Sequence, residues 1–116
     1  MNFYQINTNN NYNNYNNYYQ LNQFQNSLNL KVLENNNFDN DMIDYGIIII
    51  NKAYNLMNNG NDRAKYIADS FDSKYPQKGK KWMCFILTNN NSLGVQYYAN
   101  HSIWYSTGNE WILIFV

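Results

Sequence analysis

The chain has 116 residues, eight Lys and Arg against eight Asp and Glu, one His and one Cys. That length allows one compact domain, and the balanced charge excludes the strong electrostatic pull toward nucleic acid or anionic lipid that a basic protein has. A single cysteine and a single histidine exclude an internal disulfide, a cysteine-built zinc site and a multi-histidine metal centre, so no cofactor is expected.

The composition changes at about residue 30. Residues 1–29 contain no charged residue, no Gly and no Pro, and consist mostly of Asn, Tyr and Gln. The scattered apolar side chains of this tract are too few to offset the entropy of ordering it, which predicts a disordered tail. It has neither the basic start nor the continuous apolar core of a secretory signal. The longest apolar runs, Ile47 to Ile50 and Trp111 to Val116, are too short to cross a bilayer, so no membrane association is expected. A reducing cytoplasm is the expected setting.

Residues 30–116 carry every charge. Leu30 to Leu33 reads as a short strand, and Asn35 to Asn37 as a turn. Asp39 is a suitable N-cap, with Asp41 and Asp44 favourable to the dipole of the helix that follows. Ile43, Ile47, Ile50, Tyr54 and Met57 recur at helical spacing, and Gly60 fits a C-terminal stop. A second helix opens with Asn61 or Asp62 as its cap. Its apolar face is Ala64, Ile67, Ala68, Phe71 and Tyr75, and Pro76 ends it. Strands are predicted over Trp82 to Thr88, Val95 to Ala99, Ser102 to Ser106 and Glu110 to Phe115, with turns at Asn89 to Ser92 and at Thr107 to Asn109. Glu110 is the one charged residue after Lys81. A sheet so poor in charge cannot face water on both sides, so pattern alone suggests a dimer.

Chemical motifs are weak. Cys84 and His101 are the sole Cys–His combination, but Cys84 sits in an apolar strand, where an inert buried thiol is the ordinary state. Asp39 to Gly46 lacks the acid spacing and the downstream Glu of a calcium loop and reads instead as a helix start. Lys78 to Lys81 beside Trp82 admits a nucleic-acid-binding reading, though four basic residues in a neutral chain fit a solvated turn better. Nothing resembles an active site, so no enzymatic activity is expected.

The run Ile67-Ala68-Asp69-Ser70-Phe71-Asp72-Ser73-Lys74-Tyr75, followed by Trp82-Met83-Cys84, resembles the dynein light chain type 1/2 family, the eight-kilodalton light chains. Gly94, His101, Gly108 and Ile112 to Phe115 fall in matching order, so the resemblance covers residues 30–116, with residues 1–29 as an added tail. It implies an α+β fold of strand, two helices, then antiparallel β-strands. Two chains would form a dimeric β-sandwich flanked by helices, with one strand, here Leu93 to Ala99, exchanged between them. The family binds extended, disordered segments of other proteins, which add as a strand in two equivalent grooves. The resemblance implies a light chain of a microtubule motor complex in the cytoplasm and cytoskeleton, or in a ciliary or flagellar axoneme. Its partners would be a second light chain, identical or different, and a dynein intermediate chain or similar protein.

Carried over residue by residue, the groove would comprise Leu93, Gly94, Val95, Gln96, Tyr97 and Tyr98 as its strand. Gly60, Asn61 and Asp62 would stand at the second helix start, with Ser102, Trp104, Trp111 and Leu113 along the floor. Met83, Val95 and Tyr97 would contribute to the dimer interface. Met83 stands where the family carries His, Trp111 where it carries a small residue, and Asn61 where it carries a basic one. A degenerate light chain, its groove plugged by Trp111 and able only to dimerise, is the alternative, with a nucleic-acid module behind it.

Overall fold

The computed structural model of the chain describes residues 27–88 and 96–116. Its elements are β1 (Lys31–Asn36), α1 (Asn40–Leu56), α2 (Gly60–Lys74), β2 (Met83–Thr88), β3 (Ser102–Ser106) and β4 (Glu110–Phe115). The four strands form one antiparallel sheet in the order β1-β3-β4-β2. The α+β class and the bounds of β3 and β4 are as the sequence predicts; the strand predicted over Val95 to Ala99 is not a strand in its described part, residues 96–99, which find no ladder partner within the chain. Of the tail predicted over residues 1–29, residues 1–26 lie outside the described residues, as do the turn predicted at Asn89 to Ser92 and the first part of the segment expected to exchange.

The first strand is longer than its apolar core suggests. It runs through Asn36, and the chain turns at Asn37, whose φ of 67° suits the short polar side chain of Asn. Asn35 closes the corner, accepting from the Phe38 amide at 3.0 Å and donating to its carbonyl at 3.1 Å.

Asp39 caps α1, its carboxylate accepting from the Met42 amide at 2.9 Å. The run Ile47 to Ile50 is helical despite its β-branched side chains. Ile47, Ile49 and Ile50 are all buried, and packing outweighs their χ1 cost. Two boundary readings need correction. Gly60 is not the stop of α1, which ends at Leu56 with Met57 already extended; Gly60 is the first residue of α2. Neither Asn61 nor Asp62 is the cap: Asn59 is, because its side chain stands three residues before the Asp62 amide and accepts from it at 2.9 Å. Ile67 and Phe71 of α2 are fully buried, and the helix ends before Pro76.

One face of the sheet packs on the helices. Ile103, Tyr105, Ile112 and Ile114 point into a core shared with Ile43, Ile47, Ile50, Ile67 and Phe71, and Val32, Cys84 and Ile86 pack against it. Trp82 locks helix to sheet. Its indole N–H donates to the Tyr75 carbonyl at 2.7 Å, its amide donates to Asp72 at 2.9 Å, and its ring lies 5.0 Å from Phe71 and 5.7 Å from Phe38. The sequence block from Phe71 to Trp82 is thus one structural unit. Residues 27–29, assigned to the tail by composition, join the domain at Leu28, whose amide donates to the Asn51 side chain at 2.7 Å. Among the described residues no helix is long and apolar enough to cross a membrane.

Candidate functional site

Alternation along the strands leaves a second sheet face turned away from the helices. Three cross-strand rows occupy it: Met83, Phe115 and Ser102; Phe85, Leu113 and Trp104; Leu87, Trp111 and Ser106. Leu113 has no exposed surface, yet it lies outside the helix-facing core, flanked in register by Phe85 and Trp104. Met83, Phe85 and Trp111 keep 45%, 38% and 36% of their surface exposed. These are large apolar groups, a surface that gains free energy when covered; charge enters the face at β1, where Glu34 stands in register with Trp104 and Lys31 with Ser106.

Aromatic rings tie the face together. Trp104 and Trp111 meet edge to face with centroids 6.2 Å apart, and Phe85 meets Phe115 at 5.7 Å. Tyr97 lies 5.0 Å from Phe115 and accepts from the Trp104 indole at 3.3 Å. Tyr97, proposed from sequence for groove and interface, therefore sits on the same face as Trp104, Trp111 and Leu113. Tyr98 is exposed, with Gln96 donating to its hydroxyl at 3.5 Å. Leu93, Gly94 and Val95 lie outside the described residues. Residues 96–99 form no ladder with the described strands of their own chain, and β2 pairs only with β4, so its other edge is open among the described residues.

The start of α2 stands near one end of this sheet. Arg63 lies over the Tyr54 ring at 4.3 Å and donates to the Met57 carbonyl, and Tyr54 donates to Glu110, the residue before Trp111. Burial, then the bond to Glu110, raises the Tyr54 hydroxyl well above the usual tyrosine range. Gly60, Asn61 and Asp62 are exposed there. The Asp62 amide is occupied by Asn59, which leaves the amides of Gly60 and Asn61 as the donors that the helix itself does not satisfy.

The sequence missed Phe85, Leu87 and Phe115 as surface groups, because every position of β2 from Met83 to Leu87 is apolar and gives no alternation to read. It also missed the Arg63–Tyr54–Glu110 chain, whose members lie too far apart in sequence to show a spacing. Burial pushes the Cys84 thiol up to about 12, and the His101 ring bonds the Asn37 carbonyl at 2.9 Å. Lys78 and Gly79 form the corner of a tight turn closed by the Lys80 amide donating to the Gln77 carbonyl at 3.1 Å, and Gly79 has φ of 74°. Among the described residues no three His, Cys, Asp or Glu side chains gather as a metal site requires.

No family model and no curated protein matches the chain. Solved structures do. The chain is similar to the dynein light chain-like domain of the Fasciola hepatica calcium-binding protein FhCaBP2. With its native crystal form the TM-score is 0.60 at 17% identity, covering 78% of this chain and 92% of that one. With its mercury derivative the TM-score is 0.58 at 18% identity, covering 74% and 89%. The likeness shows the fold alone: the chain has the α+β fold of a dynein light chain-like domain.

Proposed function

We propose that this chain is a non-catalytic, dimeric light chain of a dynein motor complex, which holds extended segments of intermediate chains or other partners by strand addition. The observation that carries the reading is the edge of β2, open among the described residues, beside an exposed apolar face. An unpaired edge strand is a template for another strand, and Met83, Phe85 and Trp111 favour a covered state. In this reading Leu93 to Ala99 of a second copy pairs with Met83 to Thr88, and the free side of that exchanged strand receives the partner segment. Gly60 and Asn61 offer amide donors to a side-chain carbonyl of the bound segment. Two grooves on one dimer favour partners that are themselves paired, because the second contact is effectively intramolecular. The place of work would be the cytoplasm and cytoskeleton, or an axoneme.

A second reading has its own support. Trp111 is held against Trp104 on the face where a bound segment would lie, which favours a structural light chain that dimerises and takes no peptide. Sedimentation of the full chain, followed by calorimetry with an intermediate-chain segment, separates the two. A dimer at micromolar concentration that binds the segment supports the first. A dimer that binds no extended segment supports the second. A well-folded monomer at high micromolar concentration overturns both.

A further inference from the structure

The outer sheet face is apolar on its β2 side and charged on its β1 side, and one irregularity in the ladder makes it so. In β1, Val32 pairs with Tyr105 and Glu34 with Trp104, so Leu33 is one residue more than β3 has opposite it, a bulge. Strict alternation from Lys31 would put Leu33 on the outer face and send Glu34 inward with Val32. The bulge shifts the phase by one residue. Glu34 joins Lys31 on the outer face, and Leu33 is left 49% exposed at the edge. Directly opposed positions bring their β-carbons within about 5 Å, which sets Glu34 beside Trp104.

Lys31 and Glu34 are the only charged strand residues on this face; both are exposed, and neither is in an ion pair among the described residues. Their partners Ser106 and Trp104 are two residues apart on β3, which places the two charges about 7 Å apart along the sheet. That is also the spacing of side chains i and i+2 on one face of any extended segment.

The contacts of Tyr97 indicate which part of the face stays open. Its ring lies 5.0 Å from Phe115 and its hydroxyl accepts from Trp104, so this stretch crosses the outer face over β3 and β4. In the dimer proposed above, on which this inference rests, the β2 side with Met83, Phe85 and Trp111 is the part that gains most from being covered by the other copy. The β1 side is left for the bound segment. We propose that Lys31 and Glu34 select that segment by charge: it is an extended peptide with an acidic and a basic side chain two residues apart, the acid meeting Lys31 and the base meeting Glu34 beside Trp104. Complementary charge fixes the register of the segment, and a cation at Glu34 also gains from the indole face.

Selection of peptides from a random displayed library on the full chain tests this. Enriched peptides are expected to carry an acid and a base at i and i+2 in one order. The swapped chain, Lys31→Glu with Glu34→Lys, keeps the net charge of zero and is expected to enrich the opposite order. Glu34→Gln is the milder variant. It should lower the affinity for a peptide selected on the wild type by about two- to fivefold, the range of an exposed ion pair, and the loss should shrink as salt is raised. Should the swapped chain unfold, Glu34→Gln decides alone, and an unchanged affinity overturns the proposal. Peptides enriched without the paired charges, or with the same order on both chains, overturn the charge selection and leave the groove standing. No enriched peptide on either chain overturns the groove and the charge selection with it. A dimer that dissociates in Glu34→Lys at micromolar concentration assigns the charges to contacts between copies and contradicts the proposal.

Discussion

The hydroxyl of Tyr105 stands directly over the α-carbon of Gly46. It donates to the Ile43 carbonyl at 2.8 Å, and a β-carbon built on Gly46 would lie 2.2 Å from that oxygen. This close approach draws α1 onto β3 and so fixes the sheet whose opposite face carries the candidate site. Glycine is needed here for space, not for backbone freedom. Gly46→Ala should destabilise the domain by about 1–3 kcal/mol, the usual cost of overpacking. Thermal unfolding measures it. Because the clash centres on the hydroxyl, Gly46→Ala combined with Tyr105→Phe should recover part of the loss, and equal losses in the single and double variants would show that the contact is not the cause.

Alkaline solution should destabilise the domain progressively, first through Cys84 and then through the tyrosines. Burial raises the Cys84 thiol from 9.0 to about 12, and burial also raises Tyr45, Tyr54 and Tyr75 above 10.0. A group whose folded-state value lies above its unfolded one holds its proton more tightly when folded. Its stability contribution is intact below the unfolded value and is lost as pH rises toward the folded one. The decline should therefore begin near pH 9 with Cys84 and steepen above pH 10 with the tyrosines. Each proton contributes a slope approaching about 1.4 kcal/mol per pH unit. Urea unfolding of the wild type and Cys84→Ala checks this: the variant should lose less stability than the wild type between about pH 8 and 9.5, and both should decline above it. A slope unchanged by the substitution would assign the early stage elsewhere.

Asn59 should be worth more than its exposed position suggests. It caps α2 through the Asp62 amide and donates back to the Asp62 carboxylate at 3.0 Å. Asn59→Ala should cost about 1 kcal/mol, while Asn59→Asp keeps the acceptor but faces the Asp62 charge and should fall between the two. Chemical denaturation resolves the three proteins, and an alanine variant as stable as wild type would refute the cap.

Much of the fold was legible because local signals agreed with one another. Asp39 before a helical stripe, and turn residues between apolar runs, placed α1, β3 and β4. The junction between the helices was misread because Gly60 suits a helix stop by composition, whereas the structure uses Met57 to leave one helix and Asn59 to begin the next. The site was legible only in part. Tyr97, Trp104, Trp111 and Leu113 do share the outer sheet face, but which face each β2 residue takes could not be read from a strand that is apolar throughout. The bond from Tyr54 to Glu110 depends on tertiary packing that no spacing encodes.

The groove proposal makes a prediction about ligand choice. Trp111 is braced by Trp104, so it cannot swing aside without breaking an aromatic contact. Peptides with the Thr-Gln-Thr pattern common among light-chain targets should bind weakly, at a cost of about 1–3 kcal/mol or roughly 5- to 150-fold in affinity. Trp111→Ala should restore part of that affinity in calorimetry. Gly94→Val should abolish binding of any segment that adds beside Leu93 to Tyr98, by crowding its backbone. Tight binding of the Thr-Gln-Thr peptide to wild type, unchanged in Trp111→Ala, would defeat the steric argument.

In the proposed dimer a strand of one copy completes the sheet of the other at β2. Nuclear Overhauser contacts in a dimer assembled from two differently isotope-labelled populations of the full chain report this pairing directly. Interchain contacts are expected between Met83 to Thr88 of one copy and Leu93 to Ala99 of the other, lost together with the dimer in Phe85→Glu. A dimer whose only contacts between these segments are within one chain, or a monomer with β2 still exposed at high micromolar concentration, would contradict it.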